Sequence, residues 1–225
     1  RDNPSVLRLE PFVGTYFYRI NVTRPPLDDP RVRLALAMSV DKESICNEVL
    51  FGAFTPAVAL TPPGIGGYTA EAGISYDLAK AKALLTEAGF PEGKGMRDIE
   101  ILYNESEDHQ LVAEALQDMW KKGLGINVTT NKQEWKVYLN SMTSLNYDVV
   151  RAGWIADFLD PMNYCECFTT NNGNNRTGWS NATYDELEKK ARNEIDPKQR
   201  FAYMQEAENL LFSQTAIIAI YTYRQ

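Results

Sequence analysis

Residues 151–168 run Arg-Ala-Gly-Trp-Ile-Ala-Asp-Phe-Leu-Asp-Pro-Met-Asn-Tyr-Cys-Glu-Cys-Phe, the chain's densest run of side chains able to do chemistry. A strand read over Tyr147 to Arg151 delivers Arg151; a Gly-Trp step follows, then Asp157 and Asp160 in a turn that ends at Pro161. Cation, planar aromatic (Trp154) and anion are therefore expected together at the carboxyl end of a strand, where open α/β sheets hold their ligands. Such a set suits a zwitterion, because a carboxylate accepts an ammonium and a guanidinium forks onto a carboxylate. The competing reading is an Arg–Asp ion pair beside a packed Trp.

A second strand end, Tyr103-Asn104-Glu105-Ser106-Glu107-Asp108-His109, holds the single histidine. A Ser-His-Asp or Cys-His enzyme would have to use His109, yet no Gly-x-Ser-x-Gly or Cys-Gly-x-Cys context exists. His109 reads as a hydrogen-bonding group of the surface or a pocket, and Ser106 or Asp108 as a helix N-cap. A glycosidase-like pair, Asp157 with Asp160 or Glu166, is a weaker reading, since acids three apart in a turn are most often capping groups. No Walker A pattern and no Gly-x-Gly-x-x-Gly after a strand is present, so nucleotide binding drops out and no cofactor is implied. Cys46, Cys165 and Cys167 lack zinc-site spacing and read as buried free thiols, with a bridge from Cys46 as the alternative.

The elements that must position these residues alternate. A strand over 12–22 carries Tyr16 and Tyr18. Asp29-Pro30 then opens a helix, and Asp41 and Asp77 open two more. Strands over 98–103, 126–129 and 147–151 alternate with helices over 111–122, ended by Gly123, and 134–142. Helices over 183–194 and 197–213 precede an apolar closing strand, Ala216 to Tyr221. Residues 55–74, rich in Pro and Gly, read as irregular. The pattern predicts an α/β fold with a mixed or mainly parallel sheet flanked by helices.

Composition agrees with a folded domain: 44% of residues are apolar and 24% charged. With 23 basic and 30 acidic side chains the net charge is −7, which argues against nucleic acid or an anionic membrane as partner. No run is long enough to insert in a bilayer. The chain opens on Arg-Asp-Asn-Pro without Met, and together with strands at both ends this predicts a piece excised from a larger chain.

Asn21 to Lys42, Asn-Val-Thr-Arg-Pro-Pro-Leu-Asp-Asp-Pro-Arg-Val-Arg-Leu-Ala-Leu-Ala-Met-Ser-Val-Asp-Lys, resembles a segment of the solute-binding proteins of oligopeptide and dipeptide ABC importers. Thr61-Pro62-Pro63, Ala79 to Phe90, Ile101 to Asn104, Trp120 to Val128, Gln133-Glu134-Trp135 and Tyr147 to Asp157 resemble further family motifs in the same order. The resemblance is closest to the oligopeptide-binding branch and implies a class II periplasmic-binding-protein-like fold. Residues 1–225 would be one C-terminal lobe of a two-lobe protein, with 12–22 and 216–225 as hinge-side strands. It implies a peptide clamped between lobes and delivered to permease subunits, with no enzymatic activity, from a periplasmic or cell-surface lipoprotein parent. Alternatives keep the fold and change the solute to a dipeptide, murein peptide, nickel chelate or oligosaccharide. By resemblance Asp157 receives the peptide ammonium and Arg151 and His109 meet its carboxylate. Trp154, Tyr103 and Asn104 would line pockets, with Tyr16 and Tyr18 on the hinge-side strand.

Overall fold

The computed structural model describes residues 11–224. Six strands form one mixed sheet in the order β2-β6-β1-β5-β3-β4, from β1 (Pro11–Ile20), β2 (Thr55–Pro56), β3 (Ile99–Asn104), β4 (Val128–Gln133), β5 (Val149–Ile155) and β6 (Ile217–Arg224). β1 pairs antiparallel with β5 and β6, and β2 antiparallel with β6, whereas β3 runs parallel to both β4 and β5. The sheet is therefore mixed, as expected, but not mainly parallel. The interspersed helices are α1 (Pro30–Met38), α2 (Lys42–Ser44), α3 (Leu78–Glu87), α4 (Glu107–Leu124), α5 (Trp135–Thr143), α6 (Met162–Cys165), α7 (Ala182–Asn193) and α8 (Pro197–Gln214).

Most helix starts follow local chemistry. Asp29, Asp41 and Asp77 each accept a backbone N–H of the turn they open, and Pro30 takes the first position of α1. Glu134 caps α5 through the amides of Lys136 and Val137, so the helix expected over 134–142 opens at Trp135. The helix expected over 111–122 is longer at both ends. α4 starts at Glu107 and passes through Gly123 to a left-handed cap at Gly125. Gly123 is a packing position: a Cβ there would sit 2.9 Å from Leu78 Cδ1. Gly125 is the stop, with φ of +72° and a Cβ position only 2.3 Å from the Glu92 carbonyl oxygen. Gly125→Ala is expected to destabilise the fold by about 2–3 kcal/mol, read by urea unfolding; a change within about 0.5 kcal/mol would refute this strain.

Strand periodicity divides the core between the faces of the sheet. Tyr16, Tyr18 and Ile20 of β1 join Ile99, Ile101 and Val149 under α1, α3 and α4, with Trp120 at the centre donating its indole N–H to Leu36 O at 3.0 Å. Phe17 and Ala152 point the other way, into a core closed by α6, α7 and α8. Leu102 and Val150 on that second face pack against Tyr138 and Met142 of α5. The segment read as irregular contributes β2 at the sheet edge. Past it, Leu60 O accepts the Thr15 hydroxyl at 2.7 Å, tying the loop to the central strand. The three cysteines are free and buried.

Candidate functional site

β5 lies between β1 and β3, but its two neighbours differ in length. β1 accompanies it to Ile155, opposite Gly14, whereas β3 pairs only with Val149 and Val150. From Arg151 to Ile155, one edge of β5 thus has no partner strand among the described residues. Tyr138 of α5 covers the start of that edge, its hydroxyl donating to Arg151 O at 2.5 Å. Beyond the far end, Ile155, Phe158 and Leu159 expose apolar side chains to solvent. Edges of this kind accept an extended chain by backbone pairing.

The Arg151 side chain leaves β5 on the α4 face. Its guanidinium lies 5.0 Å from the centroid of the Tyr16 ring and 3.4 Å from both Asn104 Oδ1 and Tyr223 OH. Its Nε is buried without a hydrogen bond, and none of the carboxylates among the described residues pairs with it. His109, in the first turn of α4, sets its ring 5.5 Å from that of Tyr16. Burial, and secondarily the Arg151 charge, hold the His109 pKa down at about 4, so the ring is neutral at pH 7. Its buried Nδ1 also lacks a partner. Behind these groups, Tyr16 stacks on Tyr221 at 4.5 Å, and Tyr221 on Phe54 at 4.3 Å. Burial raises the Tyr16 and Tyr18 hydroxyls far above neutral pH, so they remain protonated donors.

The arrangement is a cation with open hydrogen-bonding capacity, a neutral imidazole and two uncharged polar groups at one end of an unpaired strand edge. It can receive an anion. Elsewhere in the cores, burial pushes the Cys46 and Cys167 thiols up to about 12, away from the thiolate.

Of the residues singled out from sequence, Arg151, Asn104, His109 and Tyr16 come together. Tyr18 packs edge-on to Tyr16 at 5.8 Å within the core, and Tyr103 is buried on the α4 face. Trp154 departs from the expectation. Three positions from Arg151, it falls on the opposite face, where its indole N–H donates to Asn163 Oδ1 at 2.9 Å. Asp157 departs as well: it is exposed, in the loop past β5, and its carboxylate forms no ion pair or hydrogen bond among the described residues. The Arg–Asp ion pair of the competing reading is therefore not formed between Arg151 and Asp157. Asp160 is a capping group, accepting Met162 N at 2.8 Å and pairing with Arg200 at 2.8 Å, and Glu166 pairs with Arg192. Two of the three acids read as a possible catalytic pair, Asp160 and Glu166, are thus engaged in structure.

From sequence Tyr223 reads only as one of several strand aromatics, part of which could line a pocket, and Gly153 has no assigned role. Gly153 stands opposite Tyr16, and a Cβ on it would meet Tyr223 OH at 3.0 Å, so glycine here lets Tyr223 reach Arg151. The alternation of Tyr221 and Tyr223 in a terminal strand was the available signal. Asn163 was also missed; its Oδ1 holds both Trp154 and the Asp157 amide, the latter at 3.1 Å.

The described residues thus form a helix-flanked mixed sheet with an open strand edge beside a group of side chains able to receive an anion. The chain matches the family described as bacterial extracellular solute-binding proteins, family 5 Middle, over residues 2–176, and it belongs to that family. It is 36% identical over 99% of its length to the periplasmic murein peptide-binding protein MppA of Escherichia coli, covering 42% of that protein. The solved unliganded open form of MppA superposes with a TM-score of 0.94 at 36% identity, over 100% of this chain and 44% of that one. The oligopeptide-binding protein OppA of Bacillus subtilis is 35% identical over 96% of this chain and 41% of its own length. The Haemophilus influenzae OppA structure, in complex with RPPGFSPFR, matches with a TM-score of 0.86 and 32% identity, over 96% of this chain and 44% of that one. The chain thus spans less than half the length of the relatives it matches. Among the described residues no helix is long and apolar enough to cross a membrane.

Proposed function

We propose that residues 1–225 are one lobe, the C-terminal one, of a two-lobe extracytoplasmic protein that binds oligopeptides and hands them to the permease of an ABC importer. The reading is of a binding protein and not an enzyme. The observation that carries it is the unpaired β5 edge ending in an Arg151 guanidinium with no carboxylate partner. A peptide laid along this edge as an added strand satisfies the open backbone groups, and its terminal carboxylate neutralises Arg151 beside His109. Asp157 follows in the loop past β5, where its exposed carboxylate takes the ammonium end. Relatives named for oligopeptides and murein peptides support the ligand class. The second lobe encloses the peptide by domain closure.

The test is calorimetric titration of the full-length protein with tri- to pentapeptides, wild type beside Asp157→Ala. Binding is expected, weakened in the variant by about tenfold or more. Tight binding unaffected by Asp157→Ala removes that residue from the site, and no peptide binding at all overturns the reading.

A further inference from the structure

A second concave place lies away from the β5 edge. It runs along β2 at the border of the sheet, with β6 and β1 standing between it and β5. The cavity measures about 600 Å3, a size that suits a small molecule. Two extended segments wall it, one over Thr55 to Val58 and one over Glu71 to Tyr76. They meet backbone to backbone: a Cβ on Gly73 would stand 1.8 Å from Val58 O. The second segment is fastened at both ends, Glu71 N donating to Gln205 Oε1 at 2.9 Å and Asp77 N to Met38 O at 2.8 Å. The cavity is therefore fixed by the fold.

Lys42, the first residue of α2, lines it. Half-buried, it donates from Nζ to Ala57 O at 3.1 Å and pairs with no carboxylate among the described residues. Lys94 and Lys122, by contrast, stand in solvent and pair with Glu92 and Asp118. One neutral acceptor compensates an ammonium poorly, and burial lowers the Lys42 pKa from 10.5 to about 8. At pH 7.5 about a quarter of the molecules then carry a free amine, against about 0.1% for an ordinary lysine. The carboxylates of the lining are turned elsewhere: Asp41 caps Ser44 N, Glu43 accepts Asn47 Nδ2 at 3.3 Å, and Glu71 is exposed. The other titratable groups here are the exposed Tyr76 and, one turn on from Lys42, Cys46, a neutral thiol. Val40, Val58 and Ile74 supply apolar surface. A desolvated amine in such a pocket condenses readily with carbonyl compounds, and three surrounding carboxylates repel an anionic one.

We propose that Lys42 is a covalent modification site, remote from the peptide edge, at which a small uncharged aldehyde condenses with the amine to form an imine. Nζ adds to the carbonyl carbon, and the carbinolamine then loses the former carbonyl oxygen as water, which carries off both amine hydrogens. No oxidant or further reactant enters.

The experiment treats the full-length protein with propionaldehyde or, separately, with glyoxylate. Cyanoborohydride fixes each imine as a secondary amine, and peptide mass spectrometry maps the modified lysines between pH 7 and 10. At pH 7.5 propionaldehyde is expected to label Lys42 at least about tenfold faster than Lys94 or Lys122. That ratio shrinks toward pH 10, where the exposed amines also lose their protons, and it falls severalfold with glyoxylate. Labelling of Lys42 no faster than of Lys94 overturns the site, as does a preference that appears only once urea has unfolded the protein. A ratio that grows with pH overturns the part assigned to the free amine, and an undiminished ratio with glyoxylate overturns the selection of uncharged aldehydes. All four readings come from the wild-type protein, so none depends on a variant that folds.

Discussion

Replacing Arg151 by Gln is expected to lower peptide affinity by about two to three orders of magnitude, roughly 3–4 kcal/mol. The guanidinium is the cation beside the open β5 edge, and its present neighbours are an aromatic face, an amide oxygen and a phenol, none of which neutralises it. A bound carboxylate is therefore its first full partner. Gln retains hydrogen-bonding capacity and much of the volume but cannot supply charge, so the loss isolates the electrostatic contribution. The same substitution has a readout that needs no peptide. Arg151 is the second cause, after burial, of the low His109 pKa. In Arg151→Gln that pKa should rise from about 4 toward its ordinary 6.5 without reaching it, since burial remains. The chain has one histidine, which makes its NMR titration unambiguous. Unchanged affinity in Arg151→Gln would discard the carboxylate assignment, and an unmoved His109 titration would discard the coupling.

Glu208→Gln should stabilise the protein by about 2–3 kcal/mol at pH 8 relative to wild type, with little difference at pH 4. Glu208 is fully buried on α8, and its Oε2 accepts the amides of Leu60 at 3.1 Å and Thr61 at 3.4 Å. Oε1 and the hydroxyls of Thr61 and Tyr68 are buried, and both hydroxyls neighbour the carboxyl. The surrounding titratable groups are Tyr68, Tyr164, Cys165 and Tyr184, all neutral because burial raises them, and no cation among the described residues pairs with the carboxyl. Burial thus raises the Glu208 pKa from 4.5 to about 7. In the folded state the group holds its proton up to pH 7, whereas in the unfolded chain it releases it near 4.5. Its contribution is complete below pH 4.5, declines between 4.5 and 7, and stays at its lowest above. Gln keeps the oxygen that accepts the two amides, and its NH2 donates toward Thr61 and Tyr68 at every pH. Urea unfolding of both proteins between pH 4 and 8 reads the difference, and a gap independent of pH would contradict the assignment.

Much of the architecture is local information. An aspartate placed to accept the first free amides of a helix works the same way in any surroundings, so Asp29-Pro30, Asp41 and Asp77 could be read directly. Strand content followed from β-branched and aromatic runs, and the order of motifs sufficed to place the chain in its family. Two glycines separated by one residue show the limit. Gly123 and Gly125 look alike as helix stops, yet one is a contact with Leu78 and the other a left-handed cap against Glu92, because only the approach of another segment distinguishes them. Strand register was half legible: an odd spacing between Arg151 and Trp154 already places them on opposite faces, but which face holds α4 and which α6 depends on crossovers formed far along the chain.

By itself, then, the sequence determined the helix boundaries set by caps, the alternation of strands and helices, and the residue types gathered near residues 104, 109 and 151. Tertiary structure alone decided which of them meet. β3 stops pairing at Val150 and leaves an edge open, while Tyr223, from the other end of the described chain, reaches Arg151 past a glycine. Packing left Asp157 exposed to solvent and enclosed Arg19 and Glu208 without counter-charges among the described residues. Burial and charge pairing are properties of neighbours distant in sequence, and such neighbours exist only once the sheet has assembled.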